Sequence, residues 1–122
     1  MVQTLEQRRA AYAWKCVKEI NDSTRDDYTN LAKAMPMMVM NSGLMQTLAF
    51  LKAKGKGKAH HLTLLNHVIH WITTQDHGKS DMTFELLMKD LFEATPLKFR
   101  HATAETHEIL RWIRQFAPTL LR

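Results

Sequence analysis

Cysteine is almost missing from this chain, which has Cys16 and no other among its 122 residues. A single thiol cannot form an intrachain disulfide, and it excludes zinc motifs that need several cysteines. Cys16 lies among apolar helix positions, where a buried and unreactive thiol is expected. Hydrophobic residues make up 45% of the sequence and charged residues 24%, as in globular proteins of one domain. We therefore predict a single domain over residues 1–122 without covalent cross-links.

Long apolar segments are also absent. No run of about 20 apolar residues is available to span a bilayer, because Asn41, Ser42 and Thr47 interrupt the best candidate. The first residues, MVQTLEQRR, lack the apolar centre of a signal peptide. The sequence therefore predicts a cytoplasmic protein with no membrane among its partners.

Acidic residues are missing from the middle of the chain. No Asp or Glu occurs between Tyr28 and Gln75, whereas lysines do, and the formal net charge of the whole chain is +5. Such an asymmetry favours a positively charged face that suits a polyanion such as nucleic acid. A solvated surface that only keeps the protein dispersed would have the same composition, so both interpretations stay open.

Residue patterns that indicate catalysis or metal binding are weak. His60, His67 and His70 fall on one face of a predicted helix, but that helix offers no acidic residue to complete a metal site. Gly78-Lys79-Ser80 matches only the end of a phosphate-binding loop, without the upstream glycine and strand that such a loop needs. We predict no enzyme activity, no cofactor and no metal.

Helical periodicity runs through nearly the whole chain, and no alternating pattern predicts a strand. The first helix is expected to begin at Thr4, where Thr-Leu-Glu-Gln has the form of a capping box. Ser23 or Thr24 is the expected N-cap of the second helix. Pro36 is expected to end that helix and to leave a short separate one over residues 37–41.

The remaining helices are delimited by similar signals. A helix over residues 43–54 should end at Gly55, and another should follow it. Asp81 and Thr95 are the predicted N-caps of the last two helices, and Pro118 is the predicted end of the final one. The predicted fold class is therefore all-α, a bundle of six to seven helices.

The segment AKGKGK, residues 53–58 and hereafter the basic loop, is the strongest candidate for a functional site. Its glycines let the backbone follow a phosphate chain, and its lysines supply charge without reading sequence. A mobile loop that merely tolerates lysine is the alternative. Basic residues on the first and last helices extend the track. The full set of predicted nucleic-acid contacts is Lys15, Lys18, Lys52, Lys54, Lys56, Lys58, Arg111 and Arg114.

Large apolar side chains give a second candidate surface. Trp14, Trp71 and Trp112 lie beside the apolar stripes of their helices rather than on them. That position is typical of the core rim and of protein interfaces, where aromatic residues are enriched. We assign the tryptophans to a candidate subunit interface, and we assign the methionine-rich segment over residues 37–51 to the core.

Three segments of the chain resemble a known family. They are QTLEQRRAAYAW, LAKAMPMMVMNSGLMQTLAFLKAKG and FRHATAETHEILRWIRQFA. They are similar to the small helical subunit of the Cmr complex, the type III-B CRISPR effector that uses a guide RNA to target RNA. The most specific part is NxGLxQxLAF (residues 41–50) followed by RxATxE (residues 100–105). Residues 59–95 match only loosely.

The resemblance implies a non-catalytic all-α subunit that acts in antiviral defence. Family members stack head to tail into a short filament beside repeated backbone subunits of the Cmr complex, and they contact the backbones of guide RNA and target RNA electrostatically. Cleavage belongs to other subunits. Lys54 stands at a position that matches the family, whereas Lys56 and Lys58 are nominated by their charge alone.

Three alternatives remain on sequence grounds. The first is a helical protein–protein scaffold without direct RNA contact, in which the tryptophans and methionines do the binding. The second is a small helical nucleic-acid-binding regulator, although no exposed helix carries a base-reading face of Arg, Asn and Gln. The third is a helical hydrolase that acts through its histidines.

Overall fold

The fold consists of α-helices in the part of the chain that the computed structural model describes, residues 2–77 and 83–120. The helices there are α1 (Leu5–Lys18), α2 (Arg25–Ser42), α3 (Leu44–Lys54), α4 (Ala59–His77), α5 (Phe84–Glu93) and α6 (Pro96–Leu120). No strand occurs within these ranges, and the predicted all-α class is confirmed. None of these helices is long and apolar enough to cross a membrane.

Two helix starts follow the expected capping chemistry. At α1, the Gln7 amide donates to the Thr4 hydroxyl at 3.1 Å, and the Thr4 amide donates to the Gln7 side chain at 2.8 Å. This reciprocal pair is the predicted capping box, and it satisfies two of the free amides of the first turn. At α6, the Lys98 amide donates to the Thr95 hydroxyl at 3.1 Å, which confirms Thr95 as a cap.

Pro36 does not end the second helix. α2 continues through it, so the predicted separate helix over residues 37–41 is wrong and is the C-terminal part of α2. A proline removes one backbone hydrogen bond, but its fixed φ is helical. Met35 is fully buried and Val39 is 3% exposed. Burial of these side chains on both sides of Pro36 stabilises the continuous helix.

The later helix ends also differ from the sequence-based bounds. α5 is capped by Thr83, whose hydroxyl accepts from the Leu86 amide at 3.2 Å. The predicted cap, Asp81, lies outside the described residues, as does Gly78-Lys79-Ser80. α6 continues past Pro118 to Leu120, so the predicted stop at the proline is wrong. At α2 the cap is Thr24, but its side chain makes no capping hydrogen bond.

The two halves of the core are built on different helices: α6 packs against α1, α2 and α4, whereas α3 packs against α2, α4 and α5. Three leucines of α3 are fully buried: Leu44, Leu48 and Leu51. The preceding part of the methionine-rich segment is different, because Met37 is 59% exposed and Met40 is 71% exposed. The assignment of residues 37–51 to the core therefore holds for the leucine face of α3. It is wrong for the outer face of α2 and for Phe50, which is 40% exposed.

Candidate nucleic-acid interface

The basic loop is a hydrogen-bonded turn between α3 and α4. The Gly55 amide donates to the Leu51 carbonyl at 2.9 Å, and the Gly57 and Lys58 amides both donate to the Lys54 carbonyl at 3.1 Å. A Cβ atom at Gly55 would lie 3.0 Å from the Leu62 Cβ atom and 3.2 Å from the Leu51 carbonyl oxygen, so glycine lets the turn approach α4 without displacing these neighbours. The backbone that carries the lysines is therefore fixed at this point.

The lysines of the basic loop present their charges to solvent. Lys54, Lys56 and Lys58 are exposed, and none has a carboxylate within 4.0 Å in the described part of the chain. The Lys54 ammonium lies 5.8 Å from the centre of the Phe50 ring. Contact with a ring face leaves the cation charged, so three unpaired positive charges meet at one turn.

Lys52 occupies a different environment from the other predicted lysines. It is partly buried, and its ammonium lies 5.7 Å from the centre of the Phe84 ring of α5. This contact joins α3 to α5 and restricts the conformation of the Lys52 side chain. Lys52 is therefore the least available lysine of the predicted segment.

Two histidines begin the helix that follows the basic loop, and only one of them is accessible. His61 is 7% exposed, and its Nδ1 atom has no hydrogen-bond partner among the described residues. Burial, with help from the charges of His60, Lys58 and Lys54, lowers the pKa of His61. His61 is therefore neutral near pH 7 and adds no charge to the surface. His60 Nδ1 lies 4.0 Å from an Asp27 carboxylate oxygen.

Lys15 and Lys18 are exposed on α1, on a different helix from the basic loop. Lys15 lines a cleft of about 310 Å³ between α1 and α4. Cys16 also borders this cleft, and burial raises the pKa of its thiol to about 12. The thiol therefore stays protonated at neutral pH, in agreement with the expected buried and unreactive cysteine.

His67 lines the same cleft and makes polar contacts through both ring nitrogens. Its Nδ1 atom is 2.9 Å from the Tyr28 hydroxyl, and its Nε2 atom is 3.3 Å from a Glu19 carboxylate oxygen. The Tyr12 hydroxyl donates to the His67 carbonyl at 2.5 Å. Burial lowers the pKa of His67, although Glu19 opposes the shift. In the described part of the chain, no three metal-ligating side chains come together.

Arg111 and Arg114 meet Trp112 at a second cavity, on α6. This cavity measures about 580 Å³ and is lined by Glu6, Arg111, Trp112, Arg114 and Gln115. The Arg111 guanidinium lies 3.6 Å from Glu108, as its spacing of three residues allows. Arg114 is exposed and has no carboxylate within 4.0 Å in the described ranges.

The three tryptophans occupy three different environments. Trp14 is 46% exposed and lies edge-on to Phe116, with ring centres 5.3 Å apart. Trp112 is partly buried and packs against the same Phe116 ring at 5.4 Å. Trp71 is only 3% exposed, so it has no surface to offer a partner. Trp71 is therefore removed from the candidate subunit interface, and Trp14 is its most exposed member.

A buried ion pair that sequence reasoning missed joins α1, α4 and α6. The Arg9 guanidinium donates two hydrogen bonds to the Glu105 carboxylate, from Nε to Oε1 at 3.2 Å and from Nη2 to Oε2. The Trp71 indole donates to Oε1 of the same carboxylate at 3.0 Å. Burial by itself raises the pKa of Glu105, but the hydrogen bonds from Arg9 and Trp71 outweigh it and lower the pKa. The sequence signal for this ion pair is an acidic residue within the apolar stripe of the last helix.

The chain matches relatives over nearly its whole length. A family model described as "CRISPR-associated protein (Cas_Cmr5)" matches residues 5–120. A protein of Thermotoga maritima named "CRISPR system Cmr subunit Cmr5" is 31% identical over 121 residues, which cover 98% of this chain and 87% of that protein. A protein of Thermus thermophilus with the same name is 25% identical over 118 residues, which cover 93% of this chain and 96% of that protein.

A solved structure shares the fold. The crystal structure of a CRISPR-associated Cmr5 family protein from Thermus thermophilus superposes with a TM-score of 0.76 at 28% sequence identity. The match covers 98% of this chain and all of the other. Sequence and fold agree over the same residues, and the chain belongs to the Cas_Cmr5 family of CRISPR-associated proteins.

Proposed function

We propose that this chain, a small subunit of the Cmr CRISPR complex, supports guide RNA and target RNA through the basic loop and catalyses no reaction itself. Sequence would then be read by pairing between the two RNAs, while this subunit neutralises phosphates. Contacts to phosphate carry no sequence information, so the subunit binds RNA of any sequence equally.

The observation that supports this proposal is the state of the loop lysines. Lys54, Lys56 and Lys58 are exposed and have no carboxylate partner in the described part of the chain. They project from a turn whose backbone is fixed by hydrogen bonds to the Lys54 carbonyl. When lysines neutralise phosphates, the nucleic acid releases its condensed counterions, and this release drives binding.

Assembly with other subunits forms the second part of the proposal. The chain would stack head to tail with copies of itself and pack beside the repeated backbone subunits of the complex. Trp14 is the best placed residue for such a contact, because its large side chain is 46% exposed. Aromatic side chains with this exposure are enriched at the centres of protein interfaces.

The proposal is tested by RNA binding of a reconstituted Cmr complex that carries Lys54→Ala, Lys56→Ala and Lys58→Ala together. If each lysine meets one phosphate of a single strand, the slope of log affinity against log salt flattens by about 2. The matched control removes three exposed cations elsewhere, through Lys33→Ala, Lys89→Ala and Arg100→Ala. The control complex should keep the wild-type slope.

Equal affinity and equal salt dependence for the loop variant and the wild type would contradict the proposal. That outcome would favour the protein–protein scaffold, in which the lysines only keep the subunit dispersed. Complex assembly is measured in the same samples by size-exclusion chromatography, so that lost RNA binding is not confused with a lost subunit.

A further inference from the structure

The cavity on α6 has the size and chemistry of a small binding site. Its volume of about 580 Å³ falls within the range of roughly 300–1,000 Å³ that is typical of ligand pockets. Four of its lining residues, Arg111, Trp112, Arg114 and Gln115, lie within one and a half turns of α6, and Glu6 of α1 closes the other side. The site therefore exists only where the first and last helices meet.

Hydrogen-bond donors outnumber acceptors around this cavity. Arg111, Arg114, the Trp112 indole and the Gln115 amide all donate, whereas Glu6 supplies one carboxylate. In the described part of the chain, the Trp112 indole nitrogen has no hydrogen-bond partner, and Arg114 has no carboxylate within 4.0 Å. A guanidinium without a partner is suited to bind a phosphate through two parallel hydrogen bonds.

The indole in the cavity is held in place by a second aromatic ring. Phe116 packs against Trp112 with ring centres 5.4 Å apart and an angle of 36° between the planes. Trp14 packs edge-on against the other side of this pair, at 5.3 Å from Phe116. A supported aromatic side chain beside cations is the arrangement that single-strand-binding proteins use to stack bases and hold the phosphates between them.

We infer that this cavity binds one nucleotide of a single-stranded RNA, with its base stacked on Trp112 and its phosphate held by Arg114. The inference rests on the proposed function, because it places a second contact on the RNA that the basic loop supports. It also gives Trp112 a different role from Trp14. The two tryptophans share Phe116 as a neighbour, but Trp14 does not line the cavity.

A protein partner fits the same cavity less well. Tryptophan and arginine are common hot spots in protein interfaces, but they act there in well-packed and fully desolvated pockets, and acidic residues are depleted. Here Arg111, Arg114 and Glu6 surround a single partly buried indole. Loss of subunit assembly on substitution of Trp112 is therefore an outcome that would contradict the inference.

The first test compares Trp112→Leu with Trp112→Phe and Phe92→Leu in binding to an oligouridylate of about 12 nucleotides and to inorganic polyphosphate. Stacking of one base is lost in Trp112→Leu, so its oligouridylate affinity should fall roughly fivefold to tenfold. Polyphosphate has no bases, and its affinity should not change. Trp112→Phe keeps a ring and should keep most of the affinity. Phe92→Leu removes an exposed aromatic side chain from α5 and should bind as the wild type does.

The second test uses Arg114→Gln, which removes the cation and keeps a side chain of similar length. Affinity for both polyanions should fall, and the salt slope should flatten by about 0.7, the value for one phosphate of a single strand. Thermal unfolding followed by circular dichroism establishes that each variant is folded. The same variants are measured in the reconstituted Cmr complex, where neighbouring copies raise the apparent affinity.

The triple variant of Lys54, Lys56 and Lys58, measured in parallel, separates the two proposals. If it loses RNA binding while Trp112→Leu and Arg114→Gln match the wild type, the cavity inference is overturned and the proposed function stands. If the wild type binds RNA neither alone nor in the complex, both are overturned. If Trp112→Leu lowers affinity for polyphosphate as much as for oligouridylate, base stacking is excluded and the inference fails.

Discussion

Glu105 is the clearest case of a single residue that organises several helices. It is 4% exposed, and a buried carboxylate is unfavourable unless charge and hydrogen bonds offset the loss of water. Arg9 of α1 and the Trp71 indole of α4 supply both. These partners lie 96 and 34 residues away in sequence. No local pattern connects them, so sequence reasoning placed Trp71 at an interface and gave Arg9 no structural role.

Replacement of Glu105 by alanine should destabilise the protein strongly. The change leaves the partly buried Arg9 guanidinium without its hydrogen-bonded partner and the Trp71 indole without an acceptor. The loss is up to about 3–5 kcal/mol, the range for breaking a fully buried pair. Urea unfolding followed by circular dichroism measures the loss. The matched control is Glu108→Ala, which removes a carboxylate 3.9 Å from Arg9 that is 33% exposed. The control should lose less than about 1 kcal/mol, and equal losses would contradict this account.

His67 makes folding stability depend on pH. Its folded pKa is lowered from 6.5 by burial, so the unfolded chain binds more protons than the folded chain between the two values. The contribution of neutral His67 to the free energy of unfolding is therefore fully present above about pH 6.5, and it falls as the pH drops toward the folded pKa. His61 shifts in the same direction. The groups that face His67 are Glu19, Tyr28 and the neighbouring His70.

The melting temperature of the wild type should therefore fall between pH 7.5 and pH 5.5, and that of His67→Gln should fall by less. Glutamine cannot take up the proton, so the contribution of His67 to the slope disappears. His101→Gln is the control, because the His101 side chain is exposed on a different helix. A pH dependence in His67→Gln that is as steep as that of the wild type, or steeper, would contradict the assignment.

At the scale of helices, residue spacing predicts the helix bounds that local backbone chemistry determines. The predicted helix over residues 43–54 agrees with α3, and its end at Gly55 agrees with the structure. The rule for proline failed at Pro36 because it describes the backbone alone. Burial of Met35 and Val39 on either side is a property of the assembled core, which no local rule contains.

The joint between α2 and α3 depends on one glycine. Gly43 has φ +87° and ψ 164°, a region that side chains rarely adopt. Gly43→Ala should therefore destabilise the protein by about 1–3 kcal/mol, although a Cβ atom there would meet no atom within 4 Å. Gly57→Ala is the control, since that position has open space and no positive φ. Its unfolding free energy should change by less than about 0.5 kcal/mol.

At the scale of the whole molecule, the sequence predicted where positive charge is exposed better than it predicted which distant segments pack together. The absence of acids between Tyr28 and Gln75 indicated the basic loop, and the structure has its lysines exposed at one turn. The cavity on α6 was not foreseen. Arg111, Trp112 and Arg114 were assigned separately, because Glu6, which closes the site, comes from the other end of the chain.

The central claim is that the basic loop contacts RNA within the Cmr complex, and lysine acetylation tests it most directly. The reconstituted complex is treated with an acetylating reagent with and without bound RNA, and modification is quantified by mass spectrometry. RNA should protect Lys54, Lys56 and Lys58 severalfold and leave Lys33 and Lys89, which are exposed on other helices, unchanged. Equal modification of the three loop lysines with and without RNA would contradict the claim.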